Sequence, residues 1–430
     1  MRSWLFGGAM LACGAVAGCT DEVPTEVGDG LLPSGLVRTY EVVLDAGDYL
    51  VGDSAFSGYV DPAAAPFLVV AHEFGGALDS RALARFVPPS RITVRDTMTS
   101  ILRVDSMPRL LGGDLVITFD TIRFDVDPAL QLRLSRLAEV WDPLTTTWDL
   151  RVDSGATHLP WSQPGGTTSG VVGGATWDLG EDSVVIAVDS LTLRAWQDST
   201  DLSQGALIES LTAGTRARIV DMTLRVEAAS SISDTVVTVD VRSRFPTFIF
   251  EPVPPSSASE PRVGGLPSWR TVLQLRDRLD ELQVPCPPGS PVGCTLPLSE
   301  TAITYAALVL QPMPPPPGFI PEDSVVIGAL PLLVSNNLPV ARSPLAAGAP
   351  ATTARLAPAR LADPDVDPIE LAITGFLAVL AAPPTENDDA LPPFLALLQQ
   401  PEGLQIGFVR FEEGPKLRLI LTTAATLEIR

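Results

Sequence analysis

Histidine, cysteine and paired carboxylates are the residue types that could carry chemistry, and this chain is poor in the first two. Its 430 residues include two histidines and four cysteines. A Ser–His–Asp site needs an imidazole beside a hydroxyl nucleophile, so only His72 (in VVAHEFGG) and His158 (in GATHLPWS) qualify. No G-x-S-x-G elbow is present. His72-Glu73 lacks the second histidine of an H-E-x-x-H metal site. Both read as strand or loop histidines. Carboxylates are plentiful, and a glycosidase needs only two of them ~5–10 Å apart, one with a raised pKa. Asp45/Asp48, Asp125/Asp127 and Asp363/Asp365/Asp367 are candidates by abundance, and solvated turn acids are the plainer reading. ADPDVDPIE (362–370) alternates acids, as a calcium loop can. It lacks the glycine and terminal spacing of an EF-hand, and its two prolines fit a stiff acidic linker. A structural Ca²⁺ is thus weighed and set aside. No metal, cofactor or catalytic residue is expected.

Cys286 and Cys294 lie eight positions apart in VPCPPGSPVGCTLP. In an oxidising compartment such a pair reads as a disulfide, whose short loop stabilises by about 2.5 kcal/mol on the chain-entropy argument. A zinc site is the alternative, but it needs further ligands, and both histidines are distant in sequence.

Exposed aromatic rings can stack on sugar faces. Trp141, Trp148, Trp161, Trp177 and Trp196 all fall in the first half. Trp141, Trp148 and Trp196 fit the ends of a β core. Trp161 and Trp177 sit in Gly-rich loops, which makes them the expected exposed rings and the candidate ligand-binding residues. PMPPPP (312–317) reads as a stiff loop rather than a polyproline recognition segment.

The other two cysteines belong to the N-terminus. Arg2 is followed by an uncharged, mostly apolar run from Trp4 to Val16. That run is shorter than the ~20 residues a membrane span requires. The small residues Ala17 and Gly18 then precede Cys19. Val16-Ala17-Gly18-Cys19 resembles the lipobox of bacterial lipoproteins, with Val where Leu is usual. The resemblance implies cleavage before Cys19, loss of Cys13 with residues 1–18, and acylation of Cys19. The alternative is an ordinary secretory signal, which would leave a lone thiol in an exported protein. Two or more acyl chains anchor a protein stably, one only marginally. Thr20 follows the cysteine; by resemblance to the sorting rule of didermal bacteria, this favours the outer membrane. Residues 19–38 are polar, contain Pro and Gly, lack periodicity, and read as a flexible tether.

Composition narrows the classes further. The formal net charge is −22, and Lys416 is the only lysine. With no basic patch to release counterions from phosphate, nucleic acid is excluded as a partner. Hydrophobic residues make up 46% of the chain, enough for sizeable cores, while 41 prolines and 34 glycines demand many turns. No later continuous apolar run of ~18 residues suggests a membrane span.

Period-two alternation then dominates. It marks strands at 39–44, 115–126, 130–140, 183–188, 219–226 and 235–241. Helical periodicity arises as a question only at 269–282, which also reads as a strand, and at 356–361, which Pro358 interrupts. A loose internal repeat pairs SRALARFV (80–87) with SWRTVLQL (268–275), and ARIVDMTLRVEA (217–228) with LRLILTTA (417–424). The run SRALARF (80–86), LRLSRLAEVW (132–141), TTTW (145–148), LTLRAW (191–196) and GALI (205–208) resembles the DNRLRE-type β-sandwich. Those are export-linked jelly-roll modules, one branch of which is classed as carbohydrate-binding.

The expected class is therefore all-β, with two tandem jelly-roll-like antiparallel β-sandwiches after the signal and tether. The expected bounds are 1–18 signal peptide, 19–38 tether, 39–244 first sandwich and 245–430 second sandwich. The expected role is a non-catalytic binding or scaffold module of the bacterial cell envelope, membrane-bound through Cys19, with a glycan or an envelope protein as ligand. The alternatives are a polysaccharide-active enzyme using loop carboxylates and a self-assembling surface protein.

Overall fold

A computed structural model describes residues 38–430 apart from 97–98, 122–128, 179, 199–204, 256–259, 277–280, 285–293, 299–300, 336, 349–351, 362, 364–365, 383–391, 424–427 and 430. The signal segment, Cys19 and the tether up to 37 lie outside the described residues. Among the described residues strands take 53% and helix 10%, and the sheets are antiparallel, which establishes the all-β class.

Residues 68–251 build one large sheet. Its neighbours, in order, are Thr168–Trp177, Leu130–Leu137, Gly205–Ser210, Leu78–Arg85, Leu68–Phe74, Thr215–Ala229, Arg109–Phe119 and Ser183–Asp189. Val236–Arg242 adds to Thr215–Ala229, and Arg244–Glu251 adds to Leu78–Arg85. The two ends of this order meet: a Cβ on Gly173 would lie 3.0 Å from Ile186 and 3.1 Å from the Ala187 carbonyl. The sheet is thus nearly closed, and bare glycine backbone lets the terminal strands approach. Alternation dictates the inside: Leu115 and Ile117 face the core, as do Leu130, Leu132 and Leu134, and Leu224 and Val226.

The second body is a sandwich. One sheet orders Arg38–Leu44, Lys416–Thr423, Ala302–Leu310 and Ile369–Ala372. The other orders Leu50–Phe56, Arg270–Leu275, Phe394–Gln399, Val325–Pro331 and Thr353–Leu356. Val42, Leu308 and Leu419 of the first sheet share a core with Leu273, Ile327 and Leu397 of the second.

The expected division at 244/245 therefore does not follow the strand pairing. Arg38–Leu44 pairs with Lys416–Thr423, and Leu50–Phe56 pairs with Arg270–Leu275. Arg244–Glu251 pairs back into the first body. The arrangement is nested: residues 68–251 form an inserted body between two parts of a host body. Sequence order cannot reveal this, because an alternating strand fits any open edge whose face and register match.

Two helices stand where no helical periodicity was expected. Ser190–Gln197 is α-helical, and Asp189 caps it by accepting from the Thr192 amide at 2.6 Å. Leu191, Leu193 and Ala195 alternate as in a strand, yet Leu191 is exposed while Leu193 and Trp196 are buried. Thr374–Ala381 is also helical; its nearly unbroken apolar run has no period to read. Pro358 opens a four-residue helix, Pro358–Leu361, where a missing amide hydrogen is harmless.

The two bodies share a hydrophobic seam. Leu266, Trp269, Phe319, Ile406 and Phe408 of the host belong to the core of the inserted body. A line of rings crosses it: Phe67 to Phe248 at 6.1 Å, Phe248 to Phe250 at 6.0 Å, Phe250 to Phe319 at 6.4 Å and Phe319 to Phe408 at 5.5 Å. Backbone approaches backbone as well: a Cβ on Gly75 would sit 2.5 Å from the Gly318 nitrogen.

Candidate binding surfaces

The tryptophan expectation is corrected. Trp161 is 4% exposed and Trp177 is fully buried. Trp161 packs with Trp141, Trp148, Leu83, Leu137, Leu207 and Ile249, and its indole nitrogen donates to the Thr147 carbonyl at 3.0 Å. Trp177 lies 4.6 Å from Phe119 and donates to the Glu181 carbonyl at 2.7 Å. The glycines that suggested open loops do the opposite. Gly165 has φ +80°, and a Cβ there would lie 2.8 Å from Trp148. The missing side chain is what lets the loop cover the ring. Neither residue offers a stacking face.

Residues of SRALARF, LRLSRLAEVW, TTTW and GALI are brought together as a structural cluster, while Trp196 of LTLRAW packs elsewhere, on Phe86 at 5.6 Å. Arg81 lies over the Trp148 ring and Arg85 over the Trp141 ring, each at 4.8 Å. Arg81 also donates to the Gly165 carbonyl at 2.7 Å, and Glu209 holds both Arg81 and Arg133. Cation–π geometry and a shared carboxylate fix this end of the inserted body.

Cys294 is buried in the strand Cys294–Pro297, and its sulfur is disulfide-bonded. Cys286, its expected partner, lies outside the described residues, as do Asp125, Asp127 and Asp365. His72 Nδ1 lies 2.8 Å from Asp79 and His158 Nδ1 lies 2.6 Å from Asp153. Among the described residues neither imidazole hydrogen-bonds a hydroxyl or thiol. Asp45 and Asp48 form a capping box on the short helix Ala46–Tyr49. Among the described residues no group of three or more His, Cys, Asp or Glu could hold a metal ion, and no helix is long and apolar enough to cross a membrane.

Three buried charges lie in the seam. Glu322 of the host is 3.5 Å from Arg216 and 3.2 Å from Arg218, both on Thr215–Ala229, and all three side chains are 3–5% exposed. Arg216 stacks on Phe74 at 4.3 Å and Arg218 on Phe67 at 3.8 Å. Gln405 accepts from the Glu322 and Asp323 amides, which fixes the loop that presents the carboxylate. Ion pairing, with Asp120 3.9 Å from Arg218 as a second acid, and ring stacking make this a fastening between bodies. Sequence alone did not single it out, because Glu322 lies 104 positions from Arg218 and nothing in the sequence marks the pair.

Two surfaces are open. The first is the strand Val236–Arg242. It pairs with Thr215–Ala229 on one side, and among the described strands nothing pairs with its other side. Val237, Val239 and Val241 pack on the core, so the strand is held in place along an open edge.

The second is the hairpin of Ile92–Arg95 and Leu102–Asp105, whose register sets Ile92 opposite Asp105, Thr93 opposite Val104 and Arg95 opposite Leu102. Opposed residues share a face. Ile92 and Val94 point into the core, and buried Asp105 shares their face. Asp105 accepts from the Met107 amide, both hydroxyls of Ser230 and Ser231, and the Ser231 amide. Burial would raise its carboxyl, but these hydrogen bonds outweigh it and hold the pKa down at about 2. Asp105 thereby latches the hairpin to the turn after Thr215–Ala229. Thr93, Arg95, Leu102 and Val104 form the opposite, exposed face.

Comparison with known proteins adds no identity. No protein-family model matches the chain, and no curated protein matches it. Among solved structures, the Macrobrachium rosenbergii nodavirus structure aligns at 10% identity over 98% of each chain. Its TM-score is 0.13, which carries no argument about fold or function.

Proposed function

We propose that this chain is a non-catalytic binding or scaffold protein of the bacterial cell envelope, tethered through a lipid on Cys19, and that its ligand is an envelope protein taken along the edge strand Val236–Arg242. The observation that carries the protein ligand is that open edge. A partner strand added there would gain main-chain hydrogen bonds over seven residues, with side chains alternating for specificity. Burial of Trp161 and Trp177 removes the support for a glycan stacked on them. The seam charges and stacked rings suit a scaffold that holds its surface in a fixed shape. The disulfide on Cys294 fits an oxidising compartment, and the sequence spacing favours Cys286 as its partner.

Site-specific photo-crosslinking tests this reading. A crosslinker at Thr238 in cells should capture a discrete partner, and one at Val185, exposed on another strand, should not. Adding Asp240→Lys beside the Thr238 crosslinker should abolish the product by blocking the edge with a long charge. Capture of a second copy of the chain would favour self-assembly instead. Equal labelling from both positions, or none from Thr238, would refute the edge as the site.

A further inference from the structure

We propose that the outward face of the hairpin Ile92–Arg95 and Leu102–Asp105 docks on an anionic phospholipid surface. This contact is separate from any lipid on Cys19 and does not depend on it. The turn residues 97–98 are no part of the site.

Three observations carry the inference. The first is exposed apolar surface: Ile101 is 59% exposed, Leu102 63%, Val104 62% and Met107 76%. Four large apolar side chains are exposed within seven residues, and two of them, Leu102 and Val104, lie on the outward face; concentrated exposed apolar surface marks interaction sites. The second is local charge. Residues 91–109 contain four arginines, Arg91, Arg95, Arg103 and Arg109, against two aspartates, Asp96 and Asp105, in a chain of net charge −22. The third is where those aspartates point. Asp105 is buried in its latch, and Asp96 lies 3.3 Å from Arg103 and accepts from the Thr99 amide. The outward face of the two strands is left with arginine, aliphatic and hydroxyl side chains and no acid. Arg91, also exposed, extends that face by period two from Thr93.

Aliphatic side chains among arginines are the composition of an interfacial membrane contact, in which apolar groups enter the headgroup boundary and cations meet lipid phosphates. The acidic remainder does not prevent it: screening over ~8 Å at physiological ionic strength silences charges held farther from the bilayer.

The test uses the full chain carrying Cys19→Ser, which removes the acylation site. It is sedimented with vesicles of phosphatidylcholine alone, and of phosphatidylcholine mixed with phosphatidylglycerol. Binding is expected to the mixed vesicles only, and to weaken with salt. Arg91→Gln and Arg95→Gln should each lower the partition coefficient roughly fivefold. Leu102→Asp with Val104→Asp should abolish binding, while Val185→Asp should leave it unchanged. Unaltered tryptophan emission will show that each variant is folded. Absence of binding to mixed vesicles, equal binding to both kinds, or full binding by the hairpin variants would overturn the inference. Loss of self-association in the hairpin variants, with vesicle binding intact, would overturn it in favour of a second copy of the chain. None of these results bears on Cys19, whose acylation is read separately from the mass of the membrane-extracted wild type.

Discussion

Replacing Glu322 with alanine should loosen the seam between the inserted and host bodies. Glu322 pairs with both Arg216 and Arg218, and all three side chains are 3–5% exposed. Removing one partner of a buried ion pair costs ~3–5 kcal/mol, because the remaining charge stays out of water. The lower end applies here. Arg216 would keep the Ile320 carbonyl at 3.1 Å and the Phe74 ring, and Arg218 would keep Asp120 at 3.9 Å and the Phe67 ring. The expected loss is therefore about 3 kcal/mol. Urea unfolding followed by two probes gives the assay. Tryptophan emission reports mainly the inserted body, which holds Trp141, Trp148, Trp161, Trp177 and Trp196, while Trp269 is in the host. Far-ultraviolet circular dichroism reports both bodies. Wild type should show coincident curves, and Glu322→Ala should shift to lower urea and separate them. A triple replacement, Glu322→Met with Arg216→Met and Arg218→Met, should recover most of the loss, since apolar packing can substitute for a buried ion cluster. A shift below ~0.5 kcal/mol for Glu322→Ala, the range of ordinary surface changes, with the two probes still coincident, would refute the reasoning.

Asp105 has a depressed folded-state pKa of about 2, so its latch contributes fully above the unfolded value of ~3.9 and fades as pH falls toward the folded value. Hydrogen exchange of the 92–105 hairpin should be faster in Asp105→Asn than in wild type at neutral pH, and the two should converge, after correction for intrinsic exchange, as pH drops from about 4 toward 2; a gap that persists unchanged at pH 2 argues against the latch. Gly75→Ala must push against Pro317 and Gly318 at positive φ, whereas Gly76→Ala meets open space. Both pay for φ, but only the first overpacks, so Gly75→Ala should be less stable than Gly76→Ala by about 1–3 kcal/mol in denaturant midpoints. Trp177→Ala should destabilise by about 3–5 kcal/mol through a core cavity; a folded variant of wild-type stability would contradict the ring's burial. Non-reducing peptide mapping should recover Cys286 and Cys294 in one linked fragment, and a Cys294 peptide joined to any other cysteine would refute the pairing.

The class of fold was legible because alternation is a local property. Ser183–Asp189 buries every second residue, Thr215–Ala229 does so from Met222 onward, and Val236–Arg242 half-buries every second residue, as their sequences imply. Pairing was not legible. Nothing in RTYEVVL announces that its neighbour is KLRLILTT at the far end of the chain. The tryptophan site failed for a related reason. Glycine-rich sequence implies a loop, but whether that loop stands open or lies on a ring depends on positive-φ contacts such as Gly165 on Trp148. The hairpin at 92–105 went unread because its four-residue strands are short and its key acid is buried by serines more than a hundred residues away.

The pairing of Arg38–Leu44 with Lys416–Thr423 sets a timetable for maturation. If the chain is exported N-terminus first, residues 38–56 arrive early yet lack their neighbours, since Arg270–Leu275 and Lys416–Thr423 follow much later. The inserted body contains all ten strands of its sheet within 68–251, so it can close while the host waits. Until the last strand emerges, the apolar faces of Val42 and Leu44 stay uncovered, and the host is the part of the molecule most in need of a chaperone. A chain stopped short of Lys416 would deliver a finished inner body on an outer one that cannot close.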